Sequence, residues 1–284
     1  MSENKPSRAK LYKPGKKWIV VLLISGSIAS IGVIGNQFGP QVNAIAPQAK
    51  QTVSYGVGQQ SARMKILTQD LHNVLGNGVK LPTLDGLGTQ TNQDNLNVRY
   101  SSNSDANNYS IYYSVGNKPS SFNAPGLDQQ APYSVFQKKS FDSWNEANSY
   151  VKTINAQNPE GESVQVASGI QGIRSGAAGS VYTNWNQQGY SIQTATSNVA
   201  SNGQYSNLSQ DTAQLLGAGG AAPSYLLPEI NTQNEAGAVN FNAHASTIYK
   251  ELGQKIAFQD GNAVYQITAH DPETAIRMAN SVEA

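Results

Sequence analysis

The chain has 284 residues, of which 38% are hydrophobic and only 13% are charged. Such sparse charge argues against a nucleic-acid-binding protein and against a highly charged disordered tail. The chain contains no cysteine, which excludes disulfides, thiol catalysis, thiolate zinc sites and lipid attachment at a cysteine.

The chain begins with a basic tail, residues 1–17, and continues with an apolar segment, residues 18–35. The tail has a net charge of +5, whereas the rest of the chain has a net charge of −4. The uncharged run from Trp18 to Ile34 gives about 25 Å of helix, near the lower limit for crossing a bilayer. Because the positive charge precedes it, we expect the N-terminus in the cytoplasm and the remaining chain outside.

The fate of the apolar segment has two interpretations. It is either an uncleaved signal anchor or a signal peptide that is cut after the small-residue pattern Val42-Asn43-Ala44. The first predicts a single-pass protein of the cell membrane with its body outside, and the second predicts secretion after cleavage near Ala44. A body without disulfides is typical of surface proteins of Gram-positive bacteria. The membrane, reached through the N-terminal helix, is therefore the first predicted partner.

Residues 36–59 are rich in Gln, Pro, Ala and Gly and indicate a linker. An amphipathic helix is predicted next, over residues 60–77. Its apolar side chains recur at spacings of three and four, and Gly76 and Gly78 follow as a stop signal. The helix is either a stalk or the first helix of the folded body. Its apolar stripe consists of Met64, Leu67, Leu71, Val74 and Leu75.

Three β-hairpins are predicted over residues 97–116, 180–196 and 254–270. Turn sequences separate their strands: an Asn/Asp-rich stretch, Asn186–Gly189, and Asp260-Gly261. A helix follows each hairpin. The first of these helices carries an apolar stripe, and Ser143 with Glu146 is a candidate capping box. The stripe consists of Phe141, Trp144, Ala147, Tyr150, Val151 and Ile154.

These elements predict an α+β fold of antiparallel β-hairpins with helices covering one face of the sheet. We divide the body into a first unit, residues 80–158, and a second region, residues 163–284. "LPTL" at Leu81 and "LPEI" at Leu227 each precede strands and a helix, so we interpret 80–156 and 226–283 as a duplicated unit with a related middle segment.

The C-terminal sequence "GNAVYQITAHDPETAIRMANSV" contains a Tyr-x-Ile strand, then Asp, then an Ala-Ile-x-x-Ala-Asn-Ser helix. It resembles the last strand and helix of extracytoplasmic sheet domains in bacterial lipoproteins and anti-sigma-factor-associated proteins. The resemblance covers about 30 residues at the C-terminus and extends loosely to the other hairpins. It implies a curved antiparallel sheet with helices against it. It also implies a role in sensing or binding, and transfers no catalytic residue.

The same C-terminal sequence contains the polar cluster His270, Asp271, Glu273 and Arg277. We interpret it as structural, because Asp suits a helix N-cap, Pro272 the first helical position and Glu the first turn. Arg277 is expected to face solvent.

Neither a metal nor a cofactor is predicted. The three histidines, His72, His244 and His270, lack the spacing of metal ligands on a helix, and the chain has no Gly-x-Ser-x-Gly motif. Carboxylates such as Asp211, Glu229 and Glu235 show no pattern that supports hydrolysis.

Aromatic residues on the hairpins are the candidate ligand contacts. Tyr offers a flat apolar ring with a polar tip, and strand alternation places Tyr109 and Tyr113 on one face and Tyr112 on the other. The alternative is that these rings fill the sheet core. The candidates are Tyr109, Tyr113, Trp185 and Tyr190.

We therefore expect a membrane-tethered, non-enzymatic binding or sensing protein of the bacterial envelope. Its candidate partners are cell-wall glycan, a peptide or another envelope protein. The alternatives are a cell-wall hydrolase or other secreted envelope enzyme, and an assembly protein that oligomerises through the helix at residues 60–77.

Overall fold

A computed structural model of the chain describes residues 60–88, 93–101, 103–155, 160–197, 207–221, 224–243 and 252–283. All of them belong to one compact unit. The predicted basic tail, apolar segment and linker lie outside the described residues. Within those residues, no helix has both the length and the hydropathy needed to cross a membrane.

Four α-helices occur in the described residues, and three of them start at a side chain suited to capping. Ser61, Ser143 and Asp271 each accept a hydrogen bond from the backbone N–H three residues further on, which satisfies a donor that the first turn leaves unpaired. The predicted N-cap at Asp271 is therefore confirmed. The helices are α1 (Ala62–Leu75), α2 (Trp144–Ile154), α3 (Leu208–Leu215) and α4 (Pro272–Asn280).

The twelve described strands form one large and one small sheet. They are β1 (Leu81–Pro82), β2 (Leu96–Tyr100), β3 (Tyr109–Val115), β4 (Ser134–Ser140), β5 (Glu162–Ala167), β6 (Ile170–Ala177), β7 (Ser180–Gln187), β8 (Tyr190–Ser197), β9 (Gly237–Asn242), β10 (Gln254–Asp260), β11 (Ala263–Ala269) and β12 (Val282–Glu283). Ten strands form a sheet in the order β2-β3-β4-β11-β10-β9-β8-β7-β6-β5, and β1 pairs with β12. Neighbouring strands are antiparallel except β8 and β9. The mixed α+β prediction with an antiparallel-rich sheet is confirmed.

The predicted division of the body stays a prediction, because both of its ranges contribute strands to the same large sheet. Strands from residues 80–158 and from residues 163–284 are joined where β4 pairs with β11 along its whole length, from Ser134 to Ser140. In the described residues, runs of consecutive antiparallel strands followed by a helix occur as β2-β3-β4-α2 and as β9-β10-β11-α4, and a longer run of four strands occurs between them as β5-β6-β7-β8-α3.

The helices cover both faces of the sheet, so the prediction of one covered face is wrong. Ala147 and Val151 of α2 pack on small apolar side chains of the central strands: Ala238, Ala257 and Val264. On the other face, α1 and α4 join a larger core that includes Ile256, Phe258 and Ile267. Adjacent residues such as Ile256 and Ala257 point to opposite faces and are both fully buried. The central strands are therefore apolar on both sides.

Candidate functional site

A surface groove of about 320 Å³ lies along α2. We call it the α2 groove. One side consists of α2 itself, and the other consists of the segment leading into β9, with the β7–β8 turn region at its end. Its lining comprises Trp144, Asn148, Val151, Lys152, Asn155, Asn186, Gly189, Ser191 and residues 232–238.

Trp144 is the aromatic residue of the α2 groove, and 42% of its surface is exposed. It is the first residue of α2, directly after the capping Ser143. The sequence pattern predicts Trp144 as part of the apolar stripe of this helix. In the structure the stripe is narrower, because Ala147 and Val151 contact the sheet while Trp144 remains at the surface. An exposed indole ring beside a groove is available to stack on a ligand.

Gln259 of β10 fixes the position of both walls of the α2 groove. Its side chain is 1% exposed and makes four hydrogen bonds. Its Oε1 accepts from Asn148 Nδ2 at 3.1 Å and from the Ala236 backbone N–H at 3.2 Å. Its Nε2 donates to the carbonyls of Trp144 at 3.0 Å and Gly261 at 2.8 Å. One buried amide thus joins α2, the opposite wall and the β10–β11 turn.

The carboxylate of Glu235 is the acidic group of the α2 groove, and both of its oxygens accept backbone hydrogen bonds. One accepts from Asn231 N at 2.9 Å and the other from Gly261 N at 2.8 Å. Glu235 therefore shapes the segment that forms the groove wall.

Asn155 follows the last turn of α2 and is 6% exposed. Its Nδ2 donates to Ser191 Oγ at 3.0 Å, which ties the end of the helix to β8. Its Oδ1 is buried and accepts no hydrogen bond from the described residues. An unpaired buried acceptor costs about 1–3 kcal/mol. Asn155 is thus a groove residue with one unused hydrogen-bond acceptor.

A row of side-chain amides crosses the sheet next to the α2 groove. Gln193 donates to Asn184 Oδ1 at 2.9 Å, and Asn240 donates to Gln193 Oε1 at 3.2 Å. Asn240 also donates to the carbonyl of Ile154 at 2.9 Å. The row follows the pairing of β7, β8 and β9, and holds the C-terminal end of α2 against the sheet.

The four aromatic residues predicted to contact a ligand all lie in the core. Their exposed fractions are 3% or less: Tyr109, Tyr113, Trp185 and Tyr190. Burial raises the pKa of the Tyr113 and Tyr190 hydroxyls above the usual value of tyrosine. Alternation along β3 places Tyr112 on the opposite face, as predicted, where Arg99 lies 3.7 Å from its ring centre. A binding role for the four rings stays a prediction, and none of them has an exposed face.

The polar cluster before α4 has structural contacts. His270 Nδ1 lies 2.9 Å from the Tyr133 carbonyl, and Asp271 caps α4. Arg277 pairs with Glu273, and only 16% of its side chain is exposed, so its predicted solvent-facing position is wrong. In the described ranges, no three His, Cys, Asp or Glu side chains are grouped to hold a metal ion. His244 lies outside those ranges.

Asp85, in the segment after β1, is a buried carboxyl group on the α4 side of the sheet. It is 5% exposed, its Oδ1 accepts from the Leu87 N–H at 2.9 Å, and its carbonyl accepts from the Tyr133 hydroxyl at 2.8 Å. Desolvation raises the pKa of Asp85, although the Leu87 hydrogen bond and the charge of Arg277 act in the opposite direction. The folded protein therefore holds the proton of Asp85 more tightly than the unfolded chain does.

Asp85→Asn should increase the free energy of unfolding at pH 7 by about 1 kcal/mol, the usual size of one buried polar change. The asparagine keeps an oxygen for the Leu87 N–H but has no charge to desolvate. Because the folded-state pKa is raised, the wild-type penalty disappears at low pH and develops as pH rises through that pKa. Urea unfolding at pH 7 and pH 4 should therefore show the advantage only at pH 7. Asp128→Asn, at an exposed position, is the control.

Comparison of the chain with protein-family models, curated proteins and solved structures gave no match. The resemblance of the C-terminal strand and helix to lipoprotein and anti-sigma-factor-associated domains stays a prediction. Function is therefore argued from the side chains and geometry of the α2 groove.

Proposed function

We propose that this chain is a membrane-tethered binding or sensing protein of the bacterial envelope and that its ligand contacts the α2 groove. The observation that supports this proposal is the exposed Trp144 beside a wall of amide and hydroxyl side chains. Apolar contact surface combined with a few fixed polar groups is typical of ligand sites. The buried Gln259 amide holds both walls in place before a ligand arrives.

The location outside the cell rests on the N-terminal charge pattern, a tail of net charge +5 before an apolar segment. Protease added to intact cells should degrade the body while a cytoplasmic marker protein remains intact. Protein recovered from the medium whose N-terminal residue lies near Ile45 would support the cleaved form. If the body resists the protease in intact cells and is degraded only after the cells are lysed, the outside location is contradicted.

We further propose that the fold contains a duplicated three-strand and helix unit. The support is the repeated order β2-β3-β4-α2 and β9-β10-β11-α4. The two helices cover opposite faces of the sheet. The two copies therefore differ in the direction that the chain takes between the third strand and the helix. The α2 groove depends on that difference, because it lies along the helix that crosses to the second face.

The alternative function, an envelope hydrolase, needs an acid or a nucleophile that is available to the substrate. Glu235, the acid that borders the α2 groove, uses both carboxylate oxygens for backbone hydrogen bonds. Binding is therefore the function that the groove's chemistry supports better.

The proposal is tested by co-sedimentation of the full-length protein with purified Gram-positive cell walls. Wild-type protein should pellet with the walls, and Trp144→Ala should pellet about fivefold less, because truncating an aromatic contact residue removes a large share of the binding energy. Val115→Ala removes a similarly exposed apolar side chain on β3 and should behave as wild type. Equal sedimentation of wild type and Trp144→Ala would contradict a role for the α2 groove.

A further inference from the structure

We infer that the α2 groove binds an uncharged oligosaccharide, with one sugar ring stacked on Trp144 and sugar hydroxyls bonded to the groove amides. This inference rests on the proposed binding function and specifies its ligand. Sugars present an apolar C–H face and a rim of hydroxyl groups. The α2 groove contains an aromatic side chain that matches the C–H face and amide and hydroxyl groups that match the sugar hydroxyls.

Trp144 supplies the apolar part of the site. The residue is 42% exposed, whereas Trp185, in the core of this protein, is only 3% exposed. The backbone of Trp144 is held by α2 and by the hydrogen bond from Gln259 at 3.0 Å. A ring on a fixed backbone loses little conformational entropy when a ligand stacks on it.

The polar part of the site consists of uncharged donors and acceptors. Asn186, Ser191, Thr232, Gln233 and Asn234 border the groove, together with Asn148, whose Nδ2 already donates to Gln259 and to the Asn234 carbonyl. Amide groups both donate and accept, which matches hydroxyl groups that do the same.

The charged residues at the α2 groove do not select for a charged ligand. Glu235 is committed to two backbone N–H groups, and Lys152 is exposed to solvent, where water and salt screen its charge. A ligand with a carboxylate or phosphate therefore gains little over a neutral one.

The unused acceptor on Asn155 points to a ligand that donates hydrogen bonds. Its Nδ2 is engaged with Ser191, so the free atom is Oδ1. Oδ1 is buried in the ligand-free structure, so a sugar hydroxyl supplies the missing donor only if the amide turns toward the groove and gives up its bond to Ser191. The groove volume of about 320 Å³ suits a short segment, since small-molecule sites span about 300–1,000 Å³.

The test is titration calorimetry of the full-length protein in a detergent without a sugar headgroup. The probes are three neutral tetrasaccharides (cellotetraose, maltotetraose and tetra-N-acetylchitotetraose) and a tetrapeptide of glycine and alanine with both termini capped. At least one sugar should bind. Trp144→Ala should weaken that binding about tenfold or more, whereas Trp144→Tyr should keep it within about threefold. Asn155→Leu should also weaken it, with thermal unfolding measured to confirm that the variant is folded.

The possible outcomes separate this inference from the proposed function. Binding of the peptide but of none of the sugars, lost in Trp144→Ala, overturns the saccharide inference and leaves a binding groove. Sugar binding that is unchanged in Trp144→Ala overturns the inference because the sugar then binds elsewhere. If no probe binds although cell-wall sedimentation depends on Trp144, the inference that the ligand is an uncharged oligosaccharide is wrong. The proposed binding function then stands.

Discussion

Gln259→Leu should lower the free energy of unfolding by about 3 kcal/mol. The side chain is 1% exposed and makes four hydrogen bonds, to Asn148, Ala236, Trp144 and Gly261. Leucine has a similar size but makes no hydrogen bond. Each of these four groups that stays buried is therefore left without its hydrogen-bond partner. Because both walls of the α2 groove depend on this amide, cell-wall sedimentation should fall as well.

Urea unfolding followed by circular dichroism measures this effect. Gln171→Leu is the matched control, because Gln171 is an exposed glutamine on another strand, β6. The control should change the free energy of unfolding by less than about 0.5 kcal/mol. A Gln259→Leu protein as stable as the control would show that the buried amide does not hold the groove together.

Leu71→Ala should destabilise the protein by about 3 kcal/mol. Leu71 is 1% exposed, and it packs with Met64, Leu67 and Leu75 into the main core together with β2 and β3. Val74, which the sequence pattern also places in the stripe, is 48% exposed. The backbone carbonyls of Leu96 and Ser120 also accept hydrogen bonds from Arg63 of α1. These contacts make α1 the first helix of the folded body, one of the two interpretations of its sequence.

Ile66→Ala is the control for α1, because Ile66 is 56% exposed on the same helix. It should change stability by less than about 0.5 kcal/mol. If α1 instead acted as a stalk that oligomerises, Leu71→Ala would lower the mass in solution and leave the unfolding of the body unchanged. Light scattering and urea unfolding of the two variants distinguish these results.

The elements that the sequence predicts well are those with strong local signals. Asp260-Gly261 separates two alternating strands, and the structure turns there, with a positive φ of 59° at Gly261. The Asn186–Gly189 turn is likewise formed, with positive φ at Gln188 and Gly189. Such turns are specified by residues next to each other in the chain.

The sequence pattern does not predict strands β5 and β6. They consist largely of Gly, Ser, Gln and Ala with few large apolar residues, so their alternation is weak. The Ala178-Gly179 turn that follows β6 also lacks an Asn or Asp, although Ala178 adopts a positive φ of 50°. These strands are held mainly by backbone pairing with neighbouring strands. A local sequence pattern does not predict that pairing.

The α2 groove could not be predicted because its residues are distant in sequence. Trp144, Ser191 and residues 232–238 meet only after β8 and β9 pair in parallel and α2 crosses to the second face. Helical spacing predicts Trp144 in the buried stripe, because the spacing shows which face of the helix is apolar. It does not show how much of that face contacts the sheet. Gln259 carries no local signal that distinguishes it from a surface glutamine.

The most direct test of the central claim, that the ligand contacts the α2 groove, is fluorine NMR of full-length protein labelled with 5-fluorotryptophan. The chain has three tryptophans, and Trp144→Phe identifies the resonance of Trp144. On addition of solubilised cell-wall fragments, the Trp144 resonance should shift or broaden, while that of the buried Trp185 stays unchanged. Binding of the fragments with an unchanged Trp144 resonance would contradict the claim.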